Sequence, residues 1–154
     1  MYVLNIDVMV ALEHDIYFSS DFKDMDLKLI YKFIKNSYWG LSRTFEEQKI
    51  ASENTINFGL FQNGHQIAYA RVMTDKVFFA YLLDVFVIER HQGKGFSKIL
   101  IDNILKFSEL RNIDKWMLAT KDAHSIYTKF GFTGIKSPEK IMEKLSPRAK
   151  LIYE

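Results

Sequence analysis

The chain has 154 residues, 48% hydrophobic and 15% aromatic, which suits one folded domain with a sizeable core and excludes a disordered chain. Its 21 Lys and Arg against 19 Asp and Glu leave a net charge of +2, too small an excess to point to nucleic acid. With no cysteine, a disulfide framework, a thiolate metal site and a cysteine nucleophile are excluded, and a cytoplasmic setting is the simplest expectation.

Residues 1–12 are fairly apolar, but Asp7 and Glu13 interrupt them and no basic region or cleavage site flanks them, so neither a signal peptide nor a membrane span is expected. Val8 to Leu12 reads as a short strand able to pair with Ile16-Tyr17-Phe18, and residues 1–15 otherwise form an extension whose structure the sequence does not specify. Asp26 caps a predicted helix from Leu27 to Asn36, with Leu27, Ile30, Tyr31 and Ile34 on one face and Lys28, Lys32 and Lys35 opposite. Ser37 to Arg43 is a loop with two large aromatics, Tyr38 and Trp39, and an arginine. Such residues suit binding as well as covering the edge of a core. Thr44 and Glu47 have the spacing of a capping box, opening a helix to about Glu53.

Asn63-Gly64 between two apolar runs, Asn57 to Phe61 and Gln66 to Met73, predicts a hairpin. Val77 to Ile88 is apolar apart from Asp84, as in a central strand buried on both faces. Then come Gln92-Gly93-Lys94-Gly95-Phe96-Ser97 and a helix carrying Phe96, Leu100, Ile104 and Phe107 on one face. Two glycines where a strand turns into a helix leave unpaired backbone N–H groups at the positive end of the dipole, a place for a phosphate or simply a tight turn. The spacing fits neither the Walker loop nor the dinucleotide fingerprint, which needs a third glycine where Lys98 stands. Lys115 to Ala119 returns to the sheet as a parallel strand, and Ala123 to Phe130 forms a short helix stopped by Gly131. The tail carries Pro138 and Pro147.

With the two early helices, the Asn-Gly hairpin, Leu83-Asp84-Val85-Phe86-Val87, the glycine turn and Tyr127-Thr128-Lys129-Phe130-Gly131-Phe132, the chain resembles the Gcn5-related N-acetyltransferases (GNAT) from about Ile16 to Met142. The family's loop reads Arg/Gln-x-x-Gly-x-Gly/Ala, and either Arg90 or Gln92 takes its first position. The resemblance implies an α/β (α+β) fold, a mixed, mostly antiparallel sheet of six to seven strands flanked by about four helices, in one domain over residues 1–154. It implies acetyl-CoA as co-substrate, with the backbone of Val85, Phe86 and Val87 along the pantetheine arm and Gln92, Gly93, Lys94, Gly95, Phe96 and Ser97 at the pyrophosphate. His124 stands where the family often has asparagine and reads equally as a helix-surface residue.

The same resemblance makes Tyr127 the acid for the departing thiolate; a packed helix aromatic is the competing reading. Asp84, a carboxylate in an apolar strand, needs a partner or a polar cavity. It is either buried against Arg71 or Arg43, or it faces the acceptor as an amine-binding base. Tyr38, Trp39, Arg43, Arg71 and Asp75 complete the expected acceptor side. An aromatic wall with a carboxylate suits a small cationic amine, whereas Arg43 suits an acceptor that also carries a carboxylate. The expected activity is transfer of acetyl to a primary amine of a small molecule. The rivals are an acyl-CoA sensor without turnover and a transferase acting on protein lysines or N-termini. No metal, nucleic acid or membrane is implied, and a homodimer is compatible with the resemblance.

Overall fold

The computed structural model describes Val10–Ala11 and residues 15–154. Among these residues six strands, β1 (Val10–Ala11), β2 (Ile16–Ser19), β3 (Ile56–Gln62), β4 (His65–Thr74), β5 (Phe79–Val87) and β6 (Lys115–Leu118), form one sheet in sequence order. All pairings are antiparallel except that of β5 with β6. Val8, Met9 and Leu12 of the expected first strand lie outside the described residues.

The helices are α1 (Leu27–Lys35), α2 (Phe45–Glu53), α3 (Phe96–Leu105), α4 (His124–Thr128) and α5 (Pro147–Tyr153). Asp26 Oδ1 accepts from Leu29 N at the start of α1, and Thr44 and Glu47 satisfy each other's backbone N–H groups at the start of α2. The fifth helix was not expected. Ser146 caps it and Pro147 occupies its first turn, the usual arrangement for a helix start.

The sheet buries both faces. On one side α3 and Tyr127 of α4 cover Phe18, Phe58, Leu60, Ala70, Val72, Ala80 and Leu82; on the other, α1 covers Phe61, Tyr69 and Phe86. The centre of the sheet is β3 and β4, with seven consecutive buried residues from Gln66 to Val72, rather than β5. Among the described residues, only the first half of β5 has a neighbour on its outer side. Its start is also later than expected, because Asp75 Oδ1 accepts from the backbone N–H groups of Val77, Phe78 and Phe79 and holds Val77 and Phe78 in the turn that leads into the strand.

A bulge in β5 positions the site. Tyr69 pairs with Phe86 and Arg71 with Leu83, so Asp84 and Val85 together oppose Ala70, and Asp84 takes φ +52°. The extra residue reverses the side-chain alternation. Leu82 faces α3 while Phe86, four residues on, faces α1, and Asp84 is swung to the α1/α2 side.

Candidate active site

The parallel pairing of β5 with β6 ends at Leu82 opposite Leu118. Beyond it, among the described residues, the second half of β5 has a free outer edge. Ile88 N–H bonds Ile67 of β4, whereas the Val87 carbonyl accepts from the Gln92 side-chain amide at 2.9 Å, so Val87 turns its polar groups away from β4. Alternation along the strand gives Val85 the same direction and gives Phe86 the opposite one. Of the three expected backbone contacts, Val85 and Val87 are thus directed to the open edge, and Phe86 contributes its ring, stacked on Phe33 at 4.1 Å.

A cavity of about 340 Å³ opens along this edge, lined among others by Trp39, Val85, Val87, Ser97, Asp122 and Tyr127. At its end Gly93 and Gly95 have φ of +76° and +84°, a conformation that glycine adopts freely, and there is open space where a Cβ would project. No side chain caps α3, leaving the first-turn N–H groups of Phe96, Ser97 and Lys98 for an external acceptor. These features fit the extended, phosphate-bearing shape of acetyl-CoA: an unpaired strand edge for amide groups and an uncapped helix start for a pyrophosphate. A larger cavity of about 540 Å³ lies beyond β6, lined by Trp116, Phe130 and Phe132, and holds none of the expected site residues.

Tyr127 is buried, and burial pushes its phenol up to about 12. Among the described residues its hydroxyl makes no hydrogen bond, although it lines the cavity.

The Asp84 carboxylate is 1% exposed and accepts from four side chains. Arg71 Nε lies 2.6 Å from Oδ2, Arg43 Nη1 spans both oxygens at 2.9 Å, Trp39 Nε1 is 3.1 Å from Oδ1 and Gln48 Nε2 3.3 Å from Oδ2. Burial opposes ionisation, but the two arginines outweigh it and hold Asp84 below the usual carboxylate range. Both candidate partners are therefore present. An ionised carboxylate so fully engaged has little capacity to take a proton. Behind it a buried polar chain continues from Gln48 through Ser52 to Tyr69, whose hydroxyl bonds Asn57.

The α1–α2 loop is held by its own turns. Ser37 N and Oγ donate to the Ile34 carbonyl, and Arg43 N donates to Gly40. Tyr38 meets Trp39 edge to face at 5.2 Å, and Lys121, from the loop after β6, sits 5.5 Å over its ring.

Not every expected residue comes together. Asp75 is spent on its own turn at the opposite end of β5 from the glycines, and so is removed from the acceptor side. His124 is exposed at the first turn of α4 and does not line the cavity. Gln92 donates its side-chain amide to the Val87 carbonyl and its backbone N–H to the Glu89 carbonyl, so both its donor groups are engaged within the turn. Phe96 packs against the core. The sequence reading missed Phe33, Gln48 and Asp122. Gln48 sits in a run of polar helix residues and has no signal marking it as buried.

The family profile described as the acetyltransferase (GNAT) family matches residues 13–132. An uncharacterized N-acetyltransferase, ycf52, of Pyropia yezoensis is 32% identical over 133 residues, covering 81% of this chain and 73% of its own. A crystal structure from Xanthomonas campestris, described as a GNAT-family protein, superposes with a TM-score of 0.82 at 35% identity, over 86% of this chain and 94% of that one. A Clostridium acetobutylicum protein described as a predicted acetyltransferase, crystallised with acetyl-CoA, shares the fold with a TM-score of 0.61 at 17% identity, over 85% and 96% of the two chains. Among the described residues no cluster of His, Asp and Glu is arranged to hold a metal, and no helix is long and apolar enough to cross a membrane. The chain belongs to the GNAT family of acetyltransferases.

Proposed function

We propose that the protein acetylates a primary amine of a small molecule with acetyl-CoA, by direct attack while both are bound. The observation that carries this reading is the cavity that joins the free edge of β5, the glycine turn and the Tyr127 phenol. Acetyl-CoA supplies the thioester whose acyl group is transferred. Val85 and Val87 offer backbone groups to its amide-bearing arm, and the turn from Gly93 to Ser97 offers N–H groups to its pyrophosphate. Asp122 is the carboxylate of the cavity lining.

Tyr127, raised to about 12, stays neutral throughout the working pH range, above a thiol's ordinary value of about 8.5. Its role in this reading is to donate a hydrogen bond to sulfur as charge develops there. Asp84 acts through others. It fixes Arg43, Arg71 and Trp39 and leaves deprotonation of the amine to water or to the amine's own equilibrium.

Calorimetric titration with acetyl-CoA tests the binding half. Saturable one-site binding that weakens when Gly95 is replaced by alanine is the expected result. Absence of binding would leave the glycines as a turn only.

A further inference from the structure

We infer that the acceptor carries an anionic oxygen group besides its amine, a carboxylate or a phosphate ester, and that Arg43 and Arg71 bind it. This rests on the acetyl-transfer reading and narrows it.

The argument is one of charge and donors. Two guanidinium groups surround one carboxylate, giving an excess positive charge where Asp84 is 1% and Arg71 8% exposed. One arginine would suffice to neutralise Asp84, and a second buried cation without an anion is unfavourable. Each guanidinium has five N–H donors. Among the described residues Arg71 uses only Nε, bonded to Asp84, and Arg43 uses only Nη1, bonded to Asp84 and to Gln48 Oε1. Among the described residues the one sealed side-chain polar atom lacking a partner is His91 Nδ1, so the unused arginine nitrogens still reach solvent. They are held in place and charged, and Arg43, 19% exposed against 8% for Arg71, is the more open of the two.

Position supports the same conclusion. Trp39 lines the cavity with Val85, Val87 and Tyr127 and also donates to Asp84, so the arginine cluster adjoins the transfer site through one shared side chain. On β4 the row Tyr69, Arg71, Met73 runs from buried to 54% exposed, and Arg71 is where the covered face begins to open. Nearby acidic groups do not cancel the excess. Glu47 is paired with Arg148 at the surface, and Asp84 is already shared. The planar fork of a guanidinium matches a carboxylate or phosphate with two parallel hydrogen bonds.

The experiment compares two matched amine pairs on the wild-type protein: β-alanine with β-alaninamide, and 2-aminoethyl phosphate with ethanolamine. Thiol release from acetyl-CoA gives kcat/KM for each, and the arginine side-chain N–H resonances are followed as each amine is added without acetyl-CoA. The anionic member of at least one pair should be preferred by about 10-fold or more. That member should shift the Arg43 or Arg71 resonances, and Arg43→Lys and Arg43→Gln should reduce the preference stepwise; the pair that discriminates identifies carboxylate or phosphate. Equal or better turnover of both neutral members overturns the inference. If no amine is turned over, undisturbed resonances with millimolar additions of both anions overturn it too, and shifts by either anion support it. Failure of acetyl-CoA to bind would count against the transfer reading and leaves the resonance test unaffected.

Discussion

Arg71 Nε on β4 and Asp84 Oδ2 on β5 lie 2.6 Å apart across a pair of strands whose register slips by one residue between them. The bulge turns Asp84 to the α1/α2 face, and the ion pair secures it there. Because Arg43, Trp39 and Gln48 converge on the same carboxylate, this single side chain ties the α1–α2 loop and α2 to the sheet beside the candidate cavity.

Replacing Asp84 by asparagine should therefore be costly. It leaves two arginines without an anion, and a loss of about 3 kcal/mol or more is expected at neutral pH. The folded carboxyl sits below its ordinary 3.8, so its contribution is full above that value and is lost as pH falls through the lower folded value. Thermal unfolding followed from pH 7 to below pH 4 should show the wild type losing its advantage over Asp84→Asn in the acid range. A gap between the two that does not change with pH would contradict the ion-pair account.

Tyr127→Phe removes the one polar atom of a buried ring. Turnover should fall by about 100-fold while affinity for acetyl-CoA stays nearly unchanged. The wild-type rate should show no decline from loss of the Tyr127 proton below about pH 11, since burial holds the phenol near 12. Loss of acetyl-CoA binding in the variant would make Tyr127 a packing residue.

Gly95→Ala places a methyl group in open space but forces a left-handed backbone on alanine, at a cost of about 1 kcal/mol. Stability should drop slightly and acetyl-CoA affinity more, because relief of the strained backbone shifts the turn that aims the uncapped N–H groups of α3. Denaturant melts and calorimetry separate the two effects.

Gly40→Ala has a different cause. A Cβ there would overlap the Ile34 carbonyl oxygen and its Cγ2 methyl, so the α1–α2 loop must move. A loss of about 1–3 kcal/mol is expected. Trp39 fluorescence should change with it, reporting displacement of the indole from Asp84.

Much of this architecture was legible because local chemistry and hydrophobic period agree. Asp26, the Thr44–Glu47 pair and Asn63-Gly64 each specify a boundary through their own hydrogen bonds or backbone preference, and the structure places boundaries there. The odd carboxylate of β5 announced a buried partner, and both arginines named for it are bound to it. What escaped depends on distant contacts. No local pattern shows that β5 bulges at Asp84, that Gln48 is buried, or that Phe33 stacks on Phe86. Asp75 has a local role that sequence reading passed over: its carboxylate accepts from three amides within four residues and shapes the turn before β5. The α5 start at Ser146-Pro147 carried a readable signal that a prolines-only view of the tail overlooked.

The most direct test of the central claim is release of free thiol from acetyl-CoA by the purified protein over a panel of small primary amines, with Tyr127→Phe measured alongside. Release that depends on a particular amine and falls in the variant is the predicted result. Saturable acetyl-CoA binding with no release on any amine would contradict it and make the protein a module that holds acyl-CoA without turning it over.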